Sequence, residues 1–282
     1  MHWQAEQAAF DARWRSWFGE QRERRGLGIK HPIWDFLFEY YRVNRNRVER
    51  WHPPVDIELR GEAISQFAWI QGFVIDDNGG MLDSSRIDEG VRRRLKWIHG
   101  LLEATLHRTP RFQCFGLHEW AMVYRDNEVR HGATPLRLPQ DEIAELVESR
   151  LVCCSHYDAY RFFSPGATPL NTLNPTQDTR YANEQHGCIH YNMDLYKWCY
   201  KAFPWISSDC LSDALGLAKD ARLLDMRASP YDLAAYGIEP IRIETSDGSS
   251  TYQREQRAIA ERGKGLAGRM SAELMQLGVS NH

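Results

Sequence analysis

The stretch Glu184-Gln-His-Gly-Cys-Ile-His-Tyr-Asn-Met-Asp-Leu-Tyr-Lys-Trp198 combines ionisable residues with the spacing of an amphipathic helix. Apolar side chains recur on one helical face from Met193 to Phe203, so we predict a helix there, with a polar segment directly before it. Histidine and carboxylate side chains resist burial unless they are paired. The stretch therefore predicts a helix that begins beside a polar site.

Two further segments have the same character. They are Phe115–Arg125 and Cys154–Arg161, and both mix histidine, carboxylate and arginine with aromatic residues. Four of the eleven histidines of the chain fall within the three segments. Because such residues are costly to bury singly, we expect the three segments to meet in one central polar site.

Hydrophobic periodicity organises the rest of the chain. Apolar residues at helical spacing predict helices over 3–24, 85–106 and 251–277. Short apolar runs followed by the Asp76–Gly80 turn signal predict a small hairpin. Aromatic and apolar residues dominate 151–163, which predicts a strand.

These elements predict a helix-rich α+β fold in which short strands surround the central polar site. A length of 282 residues is compatible with one large domain, and we predict a single compact domain over 1–282. Within it, 1–110 is the predicted N-terminal helical part and 111–282 the predicted site-bearing part.

The composition restricts the partners. With a net charge of -3, the overall field does not attract nucleic acid, so any polyanion must bind to a local patch. The six cysteines form no CxxC pair, which favours reduced thiols and a cytoplasmic protein. No apolar run approaches the ~20 residues of a membrane span, so we expect no membrane partner.

On the predicted strand, side chains alternate between faces, so His156 and Asp158 would point the same way. A histidine and a carboxylate on one face can act as an acid and base pair. Tyr157 and Arg161 would lie on the opposite face.

A spacing of four residues relates His186, His190 and Asp194, and Lys197 lies close to the same stripe. Histidines at i and i+4 of a helix can chelate a divalent metal, with the aspartate as third ligand. Gly187 leaves open the alternative that a loop delivers only His190 and Asp194 as the helix begins.

The first segment places His118 and Glu119 beside Trp120 and Tyr124, with Arg125 at its end. A histidine and a glutamate among aromatic rings suit general acid or base chemistry or the binding of a flat ligand.

At these residues the chain resembles a family of bacterial proteins commonly labelled 3-methyladenine DNA glycosylase. The similar stretches are 31–41, 115–125, 155–163, 193–198 and 225–233. The chain has neither the helix-hairpin-helix arrangement of well-characterised alkyl-base glycosylases nor the zinc-binding spacing of the bacterial constitutive enzyme.

The resemblance implies an N-glycosyl hydrolase that releases a modified purine with the help of a carboxylate, Asp158 or Asp194, and needs no cofactor. The implied partner is a modified nucleobase, in DNA or as a nucleoside or nucleotide. The candidate catalytic residues are His118, Glu119, His156, Asp158, His190 and Asp194. The candidate substrate-binding residues are Trp120, Tyr124, Arg125, Tyr157, Tyr160, Arg161, Lys197, Trp198 and Arg227.

Two other functions fit the same residues. One is a metal-dependent hydrolase or oxygenase that binds a divalent transition metal. Its candidate ligands are His118, Glu119, His156, Asp158, His186 and His190. The other is a non-catalytic module that holds a small ligand, with an anion site at Arg227, Ser229 and the helix expected after Pro230.

Overall fold

The first helix follows from its aromatic spacing. In the computed structural model, which describes residues 3–77, 79–126 and 134–279, α1 spans Trp3–Gly26. Trp3, Phe10, Trp14 and Phe18 are buried on one face. The periodicity of apolar residues at the start of the chain therefore predicted this helix correctly.

The described residues form eleven α-helices and two short strands, which confirms the prediction of a helix-rich α+β fold. Most of the longer helices coincide with predicted ones. The bounds are α1 Trp3–Gly26, α2 Phe36–Glu39, α3 Arg45–Val48, β1 Phe73–Ile75, β2 Gly80–Leu82, α4 Glu89–Leu106, α5 Leu117–Val123, α6 Gln140–Glu148, α7 Tyr157–Tyr160, α8 Arg180–Asn183, α9 Ile189–Ala202, α10 Ser208–Arg227 and α11 Ser246–Gln276.

The predicted hairpin is present. β1 and β2 pair antiparallel, with Phe73 opposite Leu82. The Asp76 amide donates to the Gly79 carbonyl at 2.9 Å, which closes the predicted turn. Asn78, the middle residue of the turn signal, lies outside the described residues.

The predicted strand at 151–163 is wrong. Val152 makes one isolated bridge to Asn171, and the chain then turns into α7 at Tyr157. The His156 carbonyl accepts the amides of Ala159 and Tyr160, so the backbone bonds locally. Aromatic and apolar residues fit a buried short helix as well as a strand, and without a neighbouring strand the local bonds prevail.

Contacts between Cα atoms divide the chain into two compact units. The first comprises 1–102, 196–216 and 266–282, and the second comprises 103–195 and 217–265. The prediction of one domain with a boundary near residue 110 stays a prediction.

The first unit has an aromatic core. The Trp3 ring stacks on Trp51 at 6.3 Å between centroids and meets the edge of Phe67 at 5.3 Å. Trp14 donates its indole N–H to the Ser212 hydroxyl at 2.7 Å. Large aromatic area is buried while the one polar indole atom of Trp14 is satisfied, as is usual for tryptophan in a core.

The second unit holds the turn that leads into α9. The Asn192 side chain donates to the carbonyls of His186 and Cys188 at 2.9 and 2.7 Å. Gln256 of α11 donates to the Gly187 carbonyl at 2.8 Å. Side-chain amides thus satisfy the backbone of a buried turn and fix the start of α9.

No helix in the described ranges combines the length and apolar character needed to cross a membrane.

We predict that His52 makes stability pH-dependent. It is buried in the first unit, and burial lowers the pKa of its imidazole from 6.5 to about 4. Above pH 6.5 the ring is neutral in both folded and unfolded chains. As the pH falls from 6.5 to 4 only the unfolded chain gains the proton, so unfolding should become easier by up to about 3 kcal/mol.

Urea unfolding of the wild type and of His52→Leu across this pH range tests the prediction. The difference in unfolding free energy between the two proteins should shrink as the pH falls, because the variant lacks the titrating ring. The same difference at pH 7.5 and pH 4 would contradict it. His107→Leu is a matched control, because His107 is 82% exposed.

Candidate metal centre

The first functional side chain lies at the start of α5. Gly116 precedes the helix with φ of 73°, a conformation that favours glycine. A Cβ atom there would lie 3.1 Å from the Tyr252 ring and 3.2 Å from the Ala228 Cβ. This close turn into α5 sets the position of His118, the second residue of the helix.

A second histidine meets it from α9. His190 is the second residue of that helix, and its ring contacts the His118 ring edge-on with 4.2 Å between centroids. The two residues are far apart in sequence and lie in different predicted segments. The first and third segments therefore do come together.

Asp225, near the end of α10, completes a group of three. One ligand atom from each of His118, His190 and Asp225 lies within 4.8 Å of the others. The Asp225 side chain is fully buried, and its Oδ2 is 3.7 Å from the His190 Nε2. That distance is too long for a hydrogen bond.

Charge around this group is unevenly balanced. The Arg222 guanidinium contacts Glu119 Oε1 at 2.8 Å and Asp225 Oδ2 at 2.9 Å through the same nitrogen. All three side chains are buried. One guanidinium thus serves two carboxylates, which leaves one negative charge to be compensated inside the second unit, where isolated charges are costly.

Several polar atoms of the group have no hydrogen-bond partner within the described part of the chain. They are both ring nitrogens of His118, Nε2 of His190 and Oδ1 of Asp225, and all four atoms are buried. Buried polar atoms are usually paired, so this concentration needs an explanation.

The protonation of the group suits metal binding. Burial, and next the nearby His190, lower the pKa of His118 well below 6.5, so its imidazole is neutral and keeps a lone pair. Burial opposes ionisation of Asp225, but His190 and Arg222 outweigh it and lower its pKa below the usual range. Neutral imidazole and ionised carboxylate are the forms that bind metals.

A second cluster surrounds His156. Its Nε2 lies 3.3 Å from Asp194 Oδ2, and its Nδ1 lies 3.4 Å from Glu184 Oε1. The His156 ring is parallel to the His190 ring, with 5.9 Å between centroids. The second segment therefore adjoins the other two, as its composition predicted.

Arg180 occupies the cation position of this second cluster. Its guanidinium contacts Glu184 at 2.8 Å and Asp158 at 2.6 Å, and it lies 3.9 Å from Asp194. His156, Asp158 and Asp194 also have a metal-ligand geometry. Because a guanidinium already neutralises these carboxylates, the cluster reads as an ion-pair network that supports the first group.

A small cavity adjoins His118 and His190. Its volume is about 20 Å³, enough for about one water molecule or ion. Four of the six cysteines line it, and burial raises the pKa of each thiol, to about 11 for Cys153 and about 12 for Cys154. Neutral thiols are poor nucleophiles, which argues against a cysteine mechanism here.

The predicted aromatic binding residues are dispersed. Trp120 is fully buried and donates to the Ala228 carbonyl at 2.8 Å, so its face belongs to the core. Tyr124 donates to Glu148 at 2.7 Å. Tyr157 lies under the Arg180 guanidinium at 5.3 Å, and Tyr160 donates to Asn174 at 2.9 Å. Tyr157 alone among these four adjoins the clusters.

The predicted basic residues have other partners. Arg125 contacts Glu148 at 2.6 Å, Arg161 contacts Asp158 at 3.3 Å, and Arg227 contacts Glu255 at 3.1 Å. Lys197 and Trp198 belong to the first unit, where the lysine lies 4.1 Å from the indole ring and Trp198 packs against Trp97. Of these, only Arg161 touches a clustered carboxylate.

His186 is not a member of either cluster. α9 begins at Ile189, so the helical stripe does not extend back to His186, whose Nδ1 faces the Thr105 carbonyl at 3.2 Å. Gly187 lies in the turn, and a Cβ atom there would lie 2.7 Å from the Arg111 carbonyl oxygen. The loop alternative thus describes this segment, although Asp194 lies inside the helix and does not cap it.

Sequence reasoning missed four charged members of the site. Asp225 and Arg222 share a face of α10 at i and i+3, and this spacing was the available signal. Arg180 and Glu184 are related in the same way by i and i+4 across α8. Glu119, a predicted ligand, is instead bonded to Arg222.

The geometry can hold one divalent cation between two imidazoles and a carboxylate, with charged residues behind them. That donor set supports Lewis-acid activation of water and, with iron, chemistry on oxygen. No family model, curated protein or solved structure matches this chain.

Proposed function

We propose that the protein is a hydrolase that uses a divalent transition metal bound by His118, His190 and Asp225. The convergence of these three residues within 4.8 Å, with buried ligand atoms that lack hydrogen-bond partners among the described residues, carries the proposal. Two histidines and one carboxylate form a ligand set of catalytic zinc sites that leaves a position for water.

Charge balance supports the same conclusion. Arg222 carries one positive charge, while Glu119 and Asp225 carry two negative charges in a buried region. A divalent cation between neutral imidazoles would more than compensate the excess. The alternative compensation is a protonated His190 beside Asp225, and metal analysis separates the two.

A bound metal would supply a water of lowered pKa and polarise the bond to be broken. The residues of the chain would do the rest. Arg222 would hold the Asp225 carboxylate in place through its 2.9 Å contact. Glu184 and Asp194 would orient His156 next to His190, where it can exchange a proton with the reacting group.

For the substrate, we propose the N-glycosidic bond of a modified purine, as the family resemblance implies. Hydrolysis would add the elements of water across that bond, with hydroxyl on the sugar and hydrogen on the base. Asp158 and Asp194 would then stabilise the sugar cation as it develops. Tyr157, half-buried beside Arg180, is the aromatic ring best placed to contact the base.

An oxygenase is the second candidate, because two histidines and one carboxylate also bind iron(II) with open positions for oxygen. The small apolar cavity beside His118 and His190 favours a ligand of this size.

Elemental analysis of protein purified without chelator tests the metal. We expect about one equivalent of a transition metal per chain. Zinc supports the hydrolase and iron supports the oxygenase. Less than about a tenth of an equivalent, in protein that also fails to bind added zinc or iron(II), would refute the metal site.

The bond is tested with the same preparation. Alkylated DNA and modified purine nucleosides and nucleotides are incubated with the metal-loaded protein, and released base is measured by chromatography. Release that stops with chelator and returns with metal supports the proposal. Folded, metal-loaded protein that releases no base from any of them would refute the assignment to N-glycosidic bonds.

A further inference from the structure

The cavity beside His118 and His190 has a charged rim. Arg111 lines it together with apolar and thiol side chains. Because the cavity holds about 20 Å³, only a narrow part of a ligand fits inside, and the remainder must lie at the rim. The residues at the rim therefore select what accompanies the reacting group.

The backbone of Arg111 is fixed. Gln185 accepts the Arg111 amide through Oε1 at 2.9 Å and donates to the Arg111 carbonyl through Nε2 at 3.2 Å. Gly187 packs so closely against that carbonyl that a side chain would not fit. The base of the arginine is thus pre-positioned on the turn that leads to His190.

The guanidinium of Arg111 is not committed in the same way. Its residue is exposed, and within the described residues it has no carboxylate partner, in contrast to Arg180 and Arg222. Arg108 adds a second positive charge close by, since both burial and Arg111 lower its pKa. The Arg108 guanidinium donates to the carbonyls of Tyr181 and Glu184, which leaves Arg111 as the available donor.

We propose that the substrate is a small molecule with a phosphate or carboxylate group, and that Arg111 binds this anion at the cavity rim. A guanidinium can bind either group through two parallel hydrogen bonds. The narrow reacting end of the molecule then points toward His118 and His190. This assignment rests on the proposed function for the reacting end, but the anion site itself does not need the metal.

Binding measurements by titration calorimetry test the site. The probes are inorganic phosphate, acetate, and the pair adenosine 5′-monophosphate and adenosine, added to the protein as purified. We expect the nucleotide to bind at least about tenfold more tightly than the nucleoside. Arg111→Gln should remove that difference, and Arg111→Lys should keep part of it, because a point charge replaces a two-pronged donor.

Arg262→Gln is the matched control, because Arg262 is a surface arginine of the same unit, 53% exposed and paired with Asp220. Its anion binding should equal that of the wild type. Equal binding of phosphate and nucleotide by the wild type and Arg111→Gln would overturn the inference. So would an Arg111 dependence seen only with duplex DNA.

Metal content, measured in each preparation, separates this inference from the proposed function. Metal-free wild type that still binds phosphate through Arg111 supports the anion site and counts against the metal. Metal-replete wild type whose anion binding does not respond to Arg111→Gln counts against the anion site alone.

Discussion

Replacing His190 by alanine is expected to remove the metal and the activity together. His190 is the central member of the site, because its ring contacts His118 and its Nε2 faces Asp225. Loss of an outer-shell partner alone costs about 10- to 100-fold in metal affinity, so loss of a ligand should cost at least about 100-fold. Elemental analysis of the variant should give less than about a tenth of an equivalent.

His107→Ala is the control for this experiment. His107 is 82% exposed and should be replaced without loss of metal or activity. Circular dichroism establishes that both variants are folded. A folded His190→Ala protein that keeps wild-type metal content would contradict the assignment of His190 as a ligand.

Arg222→Met is expected to cause the largest loss of stability. The substitution leaves Glu119 and Asp225 buried without their shared guanidinium. Removing one partner of a buried ion pair costs about 3–5 kcal/mol, because a buried charge remains uncompensated. For a chain of this size, that corresponds to a fall in Tm of about 10 °C, measured by differential scanning calorimetry.

Arg262→Met is the matched control. Arg262 pairs with Asp220 on the surface of the same unit, and both side chains are about half exposed. Such pairs contribute about 0–1 kcal/mol, so Tm should hardly change. Combining Arg222→Met with Glu119→Gln should recover part of the lost stability, because one of the two uncompensated charges is gone. Equal Tm values for Arg222→Met and Arg262→Met would contradict the proposed charge balance.

Much of the fold was predictable from periodicity. The spacing of Trp3, Phe10, Trp14 and Phe18 identified α1, because one face of a helix must be buried. The segment 151–163 was not predictable in this way. A short apolar and aromatic run fits a strand or a short helix, and the choice depends on which backbone groups lie nearby.

The site was predictable in composition but only partly in membership. His118, His156 and His190 were identified because ionisable residues concentrated around them, and the structure brings all three together. His156 and Asp158 do lie in one cluster, although a helix start and Arg180 bring them there and strand alternation does not. The aromatic candidates were the least predictable, because tryptophan and tyrosine serve the core as readily as a ligand.

The sequence by itself determined the helix-rich class and the three polar segments, because helical periodicity and the cost of burying charge are properties of neighbouring residues. Tertiary structure alone decided that Asp225 joins His118 and His190, that Arg222 stands between two carboxylates, and that His186 turns away. These contacts join residues distant along the chain, and no local pattern specifies which distant partner meets a given side chain.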